Sequence, residues 1–176
     1  MLLAFGFFCQ GAMRKDKDKS MTNNYILRNV QYALNLKASE MLEIFRISRQ
    51  EIDSVILDAL LKMEDERGYI VCSDKLMGLF LDGLIVMRRG RIEGQPDRVT
   101  NMVTPMTNND ILKKIRIAME LKEEDMLNIF KLGTVNISGP ELTALFRKPG
   151  HKHYKECGDQ FLRYFLKGLA VWFKGR

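Results

Sequence analysis

Between residues 147 and 157 the chain gathers the side chains best suited to chemistry: Arg147, Lys148, His151, Lys152, His153, Tyr154, Lys155 and Cys157. His151, His153 and Cys157 form an H-x-H-x3-C string of metal-ligating types. A structural zinc needs four ligands at firm spacing, and no second Cys/His cluster exists, so neither a metal nor another cofactor is expected. A thiol nucleophile needs a depressed pKa or a neighbouring base. Cys157 recurs 85 positions earlier as Cys72, which has no histidine near it, so both read as small buried residues at a tight helix entry. No glycine-rich phosphate loop, nucleophile elbow or HExxH occurs, and a non-enzymatic protein is expected. Charge remains. Lysine and arginine beside an aromatic ring can grip phosphates and stack a base. Arg147, Lys148, His151, Lys152, Tyr154 and Lys155 are therefore the candidate nucleic-acid or anion-binding residues. A solvated charged loop without a ligand would have the same composition.

The spacing of the cysteines belongs to a wider pattern. Shifted by 85, residues 21–91 lie on 106–176 without a gap, and 27 of the 71 positions are identical. The identities include Asn23/Asn108, Asn24/Asn109, Tyr69/Tyr154, Asp74/Asp159 and Gly83/Gly168. What both copies keep reads as structural, and what they do differently reads as functional. Two copies are too few for a solenoid. A 70-residue unit alone is marginal as a core, so the copies are expected to pack as one pseudo-twofold body.

The formal net charge of +6 is unevenly placed. Residues 22–91 carry ten basic and ten acidic side chains, whereas 107–176 carry thirteen and eight. A basic second copy suits an acidic partner, nucleic acid or protein, and serves solubility equally well. Three cysteines without clustered spacing argue against a disulfide framework and for a reducing cytoplasm. Residues 1–20 lie outside the repeat. Their apolar run MLLAFGFF precedes the charges RKDKDK, the reverse of a signal peptide, and is too short to span a bilayer. The simplest account is a start at Met21, with 1–20 a disordered or mis-assigned extension. Residues 92–105, with two prolines and a glycine, read as the linker. No membrane contact and no small-molecule substrate are expected.

Each copy carries four helical signals. The first follows Thr-Asn-Asn, with Ile26, Leu27, Val30 and Ala33, or Ile111, Leu112, Ile115 and Ala118, at helical spacing. The second begins near Ser39 or Glu124, and early acids suit the positive end of its dipole. The third follows Asp53 or Ser138, where Pro140 is tolerated. The fourth runs from Asp74 or Asp159 to Gly90 or Gly175 and is apolar almost all round, which predicts burial on every side and a meeting of the two at the pseudo-dyad. Gly83 and Gly168, mid-helix in both copies, predict a close helix crossing.

The second and third helices of copy two resemble a helix-turn-helix, with Glu141, Thr143, Arg147 and Lys148 at the polar positions of the second helix. Such a corner is also common as plain packing. The loop that follows is basic in copy two, whereas copy one reads Lys62-Met63-Glu64-Asp65-Glu66-Arg67. A protein–protein adaptor, or a self-associating module pairing the acidic loop of one copy with the basic loop of another, is the alternative expectation.

The stretches NNDILKKIRIAMELKEEDMLNIF and FRKPGHKHYKECGDQFLRYFLKGL, with CSDKLMGLFLDGLI and TNNYILRNVQYALNL in the first copy, resemble the YehS-like bacterial proteins, a domain-of-unknown-function family. The resemblance covers residues 21–176. It implies a small cytoplasmic bacterial protein with a tandem repeat and carries over no functional residue. The expected fold is all-α: two tandem four-helix repeats packed as one pseudo-twofold body, each with a helix-turn-helix-like corner.

Overall fold

Local sequence sets seven of the eight helix starts among the described residues. In a computed structural model that describes residues 21–90 and 105–175, the first helix of each repeat begins where a threonine hydroxyl accepts from the backbone two or three residues on. Thr22 caps α1 (Asn23–Leu34), and Thr107 caps α5 (Asn108–Ala118). Glu40 and Asp125 reach back to the chain before α2 (Ala38–Ile47) and α6 (Glu123–Leu132). Asp53 caps α3 (Ser54–Leu61), and Ser138 caps α7 (Gly139–Leu145), with Pro140 in its first turn. Ser73 caps α4 (Asp74–Arg89), and the last helix is α8 (Asp159–Lys174). Such caps satisfy amide groups that have no partner inside the helix. All eight helices of the described residues fall where the sequence placed them, and those residues contain no strand. The extension at 1–20 and the linker before Pro105 lie outside the described residues.

The two repeats interlock. Each last helix packs most extensively on the second helix of its own repeat and on the first helix of the other. The pairs α1/α8 and α4/α5 form two matched seams, and in each the helices run in the same direction. Along one seam Met21 donates to Asp159 (3.3 Å), Arg163 lies over the Tyr25 ring (4.7 Å) and Lys174 over the Tyr32 ring (3.0 Å). Along the other Met106 donates to Asp74 (3.1 Å), Lys114 pairs with Asp82, and Arg89 pairs with Glu120 (3.2 Å). This corrects the expected meeting of the last helices. Their principal partners lie elsewhere, because the apolar stripe of each first helix needs a cover that its own repeat does not supply.

The last helices are also less buried than their composition suggests. Phe80, Leu81, Leu84, Phe165, Leu166 and Leu169 are fully enclosed, but Ile85, Met87, Trp172 and Phe173 are half-buried and Val171 is exposed. Phe45 packs on Phe80 (5.3 Å between centroids) and Phe130 on Phe165 (5.5 Å). A fully buried phenylalanine of this kind contributes on the order of 1.5–3 kcal/mol. The crossing predicted at the mid-helix glycines is present. A Cβ on Gly83 would stand 2.0 Å from the Ile44 carbonyl oxygen, and one on Gly168 1.8 Å from that of Ile129. Only hydrogen at that Cα lets α4 lie on α2, and α8 on α6, at this separation.

Candidate nucleic-acid interface

The basic loop of repeat two is held by a buried asparagine. Asn109 Nδ2 donates to the Leu145 carbonyl (2.8 Å) at the end of α7 and to the Lys155 carbonyl (2.9 Å), while its Oδ1 accepts from the Cys157 amide (2.9 Å). Repeat one repeats the arrangement. Asn24 donates to Leu60 (2.8 Å) and Ile70 (2.8 Å) and accepts from the Cys72 amide (2.8 Å) and the Tyr69 hydroxyl (2.9 Å). Each asparagine thus closes an orphaned helix-end carbonyl and pins both sides of the following loop. The neighbouring Asn23 and Asn108 tie the same loops to Asp74 (2.7 Å) and Asp159 (2.8 Å). The shared Asn, Cys and Asp identities are thereby explained as one polar latch, written twice. Sequence reasoning read these asparagines as capping residues alone. Their recurrence at a fixed distance from Cys and Asp was the available signal.

Between the latch points, residues 146–156 project from the body. Lys148, His151, Lys152, His153 and Lys155 are exposed, and Arg147 and Tyr154 are half-buried. Arg147 and Lys148 lie beyond the last residue of α7 rather than on it, which corrects their expected place at the polar positions of the corner's second helix. Only Glu141 and Thr143 of the expected polar set remain on that helix, and its seven residues are a short probe for a groove. Arg147 Nη1 lies 3.0 Å from His151 Nε2, and the His153 amide donates to His151 Nδ1 (3.1 Å). Lys155 pairs with Glu141 (3.5 Å). Glu141 is held below the usual carboxylate range, first by the Ser138 amide and hydroxyl and then by Lys155. Lys148 and Lys152 enter no ion pair among the described residues.

An open groove of about 860 Å³ at this loop is lined by Glu123 and Glu141 together with Arg147, His153, Tyr154 and Lys155. Burial, followed by the charges of Glu156, Asp110 and Cys157, pushes the Tyr154 phenol above its ordinary value. The loop thus brings all six expected residues to one projection, but gives them different work. Lys148 and Lys152 are in no ion pair among the described residues, Lys155 pairs with Glu141, Arg147 lies against His151 with its buried Nε unpartnered, and Tyr154 is half-buried.

Cys72 and Cys157 are buried free thiols. Burial, aided by Asp74 or Asp159, pushes each up to about 12, the opposite of an activated nucleophile. His151 and His153 are exposed while Cys157 is enclosed, and no metal-competent group of three ligands occurs among the described residues. No helix of the described residues is long and apolar enough to cross a membrane.

The two seams differ in charge although their backbones match. Lys114–Asp82 and Arg89–Glu120 join α4 and α5 through opposite charges. On the α1/α8 seam, α8 brings Arg163, Lys167 and Lys174 beside Tyr25 and Tyr32, and the only acid of these two helices is Asp159 at one end. Cations interleaved with aromatic rings are the pattern that holds single-stranded nucleic acid. Half of this stripe comes from each repeat, so it is invisible to a reading confined to one loop.

Comparison with known proteins gives three findings. A family model described as "Protein of unknown function (DUF1456)" matches residues 23–90 and again 108–175. "Uncharacterized protein YehS" of Escherichia coli (strain K12) is 42% identical over 155 residues, covering 86% of this chain and 96% of its own length. No solved structure matches.

Proposed function

The chain belongs to this family of unknown function, which has no activity to hand down, and we propose from its surfaces that it is a non-enzymatic nucleic-acid-binding protein using the basic surface of repeat two. One observation carries the reading. On the same latched framework, residues 62–70 of repeat one carry the acids Glu64, Asp65 and Glu66 beside the cations Lys62 and Arg67, and residues 147–155 of repeat two carry the cations Arg147, Lys148, Lys152 and Lys155 and no acid. A framework kept by both copies, but cleared of acids and enriched in cations in one, supports selection by a polyanion at that place. The α8 cations Arg163, Lys167 and Lys174 supply further phosphate contacts. Buried high-pKa thiols and an open groove of mixed charge support a binding protein over an enzyme.

The test is an anisotropy titration of the protein with labelled single- and double-stranded oligonucleotides at low and physiological salt. Binding is expected to weaken steeply with salt. K148E/K152E should lower the salt slope by about 1.5, two phosphate contacts at roughly 0.7–0.9 each, and weaken binding more than tenfold at low salt. Absence of binding by the wild-type protein at low salt overturns the reading. Unchanged binding by the folded double variant removes the loop from it.

A further inference from the structure

Repeat one carries at the same corner an exposed apolar patch that repeat two lacks. Val55 is 74% exposed, Val71 70%, Ile70 47%, Met63 45% and Ile56 37%. These are five of the eight large apolar side chains exposed among the described residues, so the apolar surface is concentrated at this corner. Their counterparts 85 positions later are Pro140, Glu156, Lys155, Lys148 and Glu141. The backbones match: Ile70 donates to the Ala59 carbonyl (3.2 Å) as Lys155 does to that of Ala144 (3.1 Å). In repeat two, Glu141 and Lys155 reach each other at 3.5 Å, which makes Ile56 and Ile70 neighbours across the same gap. Clustered apolar exposure of this kind marks an interaction site.

The surroundings fix the kind of partner. Glu51, Asp58, Glu64, Asp65 and Glu66 are exposed around the patch beside one exposed cation, Arg67, and none of these is in an ion pair among the described residues, so the rim is acidic on balance. The Lys62 amine turns away to the Arg67 carbonyl (2.8 Å). An acidic rim repels nucleic acid and anionic lipid. Docking patch to patch between two copies would set two acidic rims face to face. The matching corner of repeat two is charged at its centre and offers no apolar face. We propose that the repeat-one corner docks a basic amphipathic segment of another protein, with apolar side chains on Ile56, Ile70, Val55 and Val71 and lysine or arginine facing Glu64 and Asp65. This surface is independent of the polyanion surface on repeat two.

The probe is a labelled amphipathic leucine–lysine peptide, titrated into the full chain by anisotropy beside a leucine–glutamate peptide of the same pattern. The leucine–lysine peptide is expected to bind and to weaken with salt, and the leucine–glutamate peptide is not. I56E/I70K introduces the ion pair that the sister framework already holds, and it should weaken binding at least tenfold. V71E, the residue type at position 156, and E64K/D65K should each weaken it too, while K148E/K152E should not. No binding, equal binding of the two peptides, or unchanged binding by a folded I56E/I70K overturns the proposal. Concentration-dependent self-association that I56E/I70K abolishes also overturns it, by making a second copy the occupant.

Discussion

Replacing Asn24 with alanine tests the latch. Its side chain makes four hydrogen bonds, and two of them serve groups with no other access: the Leu60 carbonyl near the end of α3 and the Cys72 amide. The other two serve Ile70, which is exposed, and Tyr69, which is half-buried, and water can replace them there. A buried polar group left without a partner costs about 1–3 kcal/mol, so two orphans imply a loss of about 2–6 kcal/mol. That is a large part of the 5–15 kcal/mol of a typical domain. Asn109→Ala should cost less, because its amide makes three of these bonds and the site is slightly more open. Asn24→Asp should be no better than alanine, since a carboxylate would face two carbonyl oxygens. Urea unfolding, followed by helical circular dichroism and by the fluorescence of the single tryptophan, Trp172, gives the differences. A loss below about 1 kcal/mol for Asn24→Ala, at unchanged denaturant slope, would refute the account of the latch as the element that holds the loop.

Other perturbations read other parts of the structure. Gly83→Ala should destabilise by about 2 kcal/mol or more, because overpacking against the Ile44 backbone outweighs the gain of about 1 kcal/mol in helix propensity; a neutral or stabilising result in thermal unfolding would place the crossing elsewhere. Cys72 and Cys157 should resist thiol reagents at pH 8 in the native protein and react once urea unfolds it. Their pKa is raised in the folded state, so their contribution is present below the unfolded thiol value and is lost as pH climbs toward about 12. C72A/C157A should therefore lose less stability than wild type above pH 9, and parallel losses would contradict the burial argument. Asp82→Ala should cost more than Asp82→Ala/Lys114→Ala relative to their backgrounds, since removing one partner leaves a half-enclosed charge alone; a double-mutant cycle by urea midpoint measures it.

The parts of this fold that were legible in the sequence are those governed by near neighbours. Thr22, Asp53, Ser73, Thr107 and Ser138 cap helices within three residues of themselves, so their types announce the starts. Gly83 and Gly168 stood out because glycine mid-helix needs a reason, and the carbonyls of Ile44 and Ile129 supply it. Long-range pairing was not legible. Periodicity gives each helix an apolar face but not the helix that covers it, so nothing local said that α1 packs on α8 rather than on α4. The same limit hid the work of Asn24, whose partners lie 36 to 48 positions away. In the candidate interface the six residues lie on one loop, as their sequence proximity requires. Which of these cations meets a neighbour depended on Glu141 reaching Lys155 and His151 reaching Arg147, which spacing does not encode. The apolar corner could have been found by aligning the copies, since Ile56 against Glu141 and Ile70 against Lys155 change character at matched positions.

The interlocked seams decide what either repeat can do alone. Residues 21–91 without the second repeat leave α1 and α4 uncovered, and the symmetric remedy is a homodimer in which α1 of each copy lies on α4 of the other. That arrangement sets Asp82 opposite Asn29, the position matching Lys114, and Arg89 near Tyr32, with no like charges at these contacts. For residues 106–176 the same remedy sets Lys167 opposite Lys114 at both seams, at positions where the native Lys114 and Asp82 side chains are only 19% and 13% exposed. Two like charges 4 Å apart at an effective dielectric near 20 repel by about 4 kcal/mol, and the dimer would meet this twice. Sedimentation and circular dichroism should therefore find a helical dimer of 21–91, an unfolded or monomeric 106–176, and a heterodimer when the two are mixed. K167D should let 106–176 dimerise by restoring the opposite charge. A 106–176 fragment that dimerises as readily as the mixture would refute charge as the selector of the partner repeat, and a well-folded monomeric 21–91 would refute the need of each first helix for the other repeat.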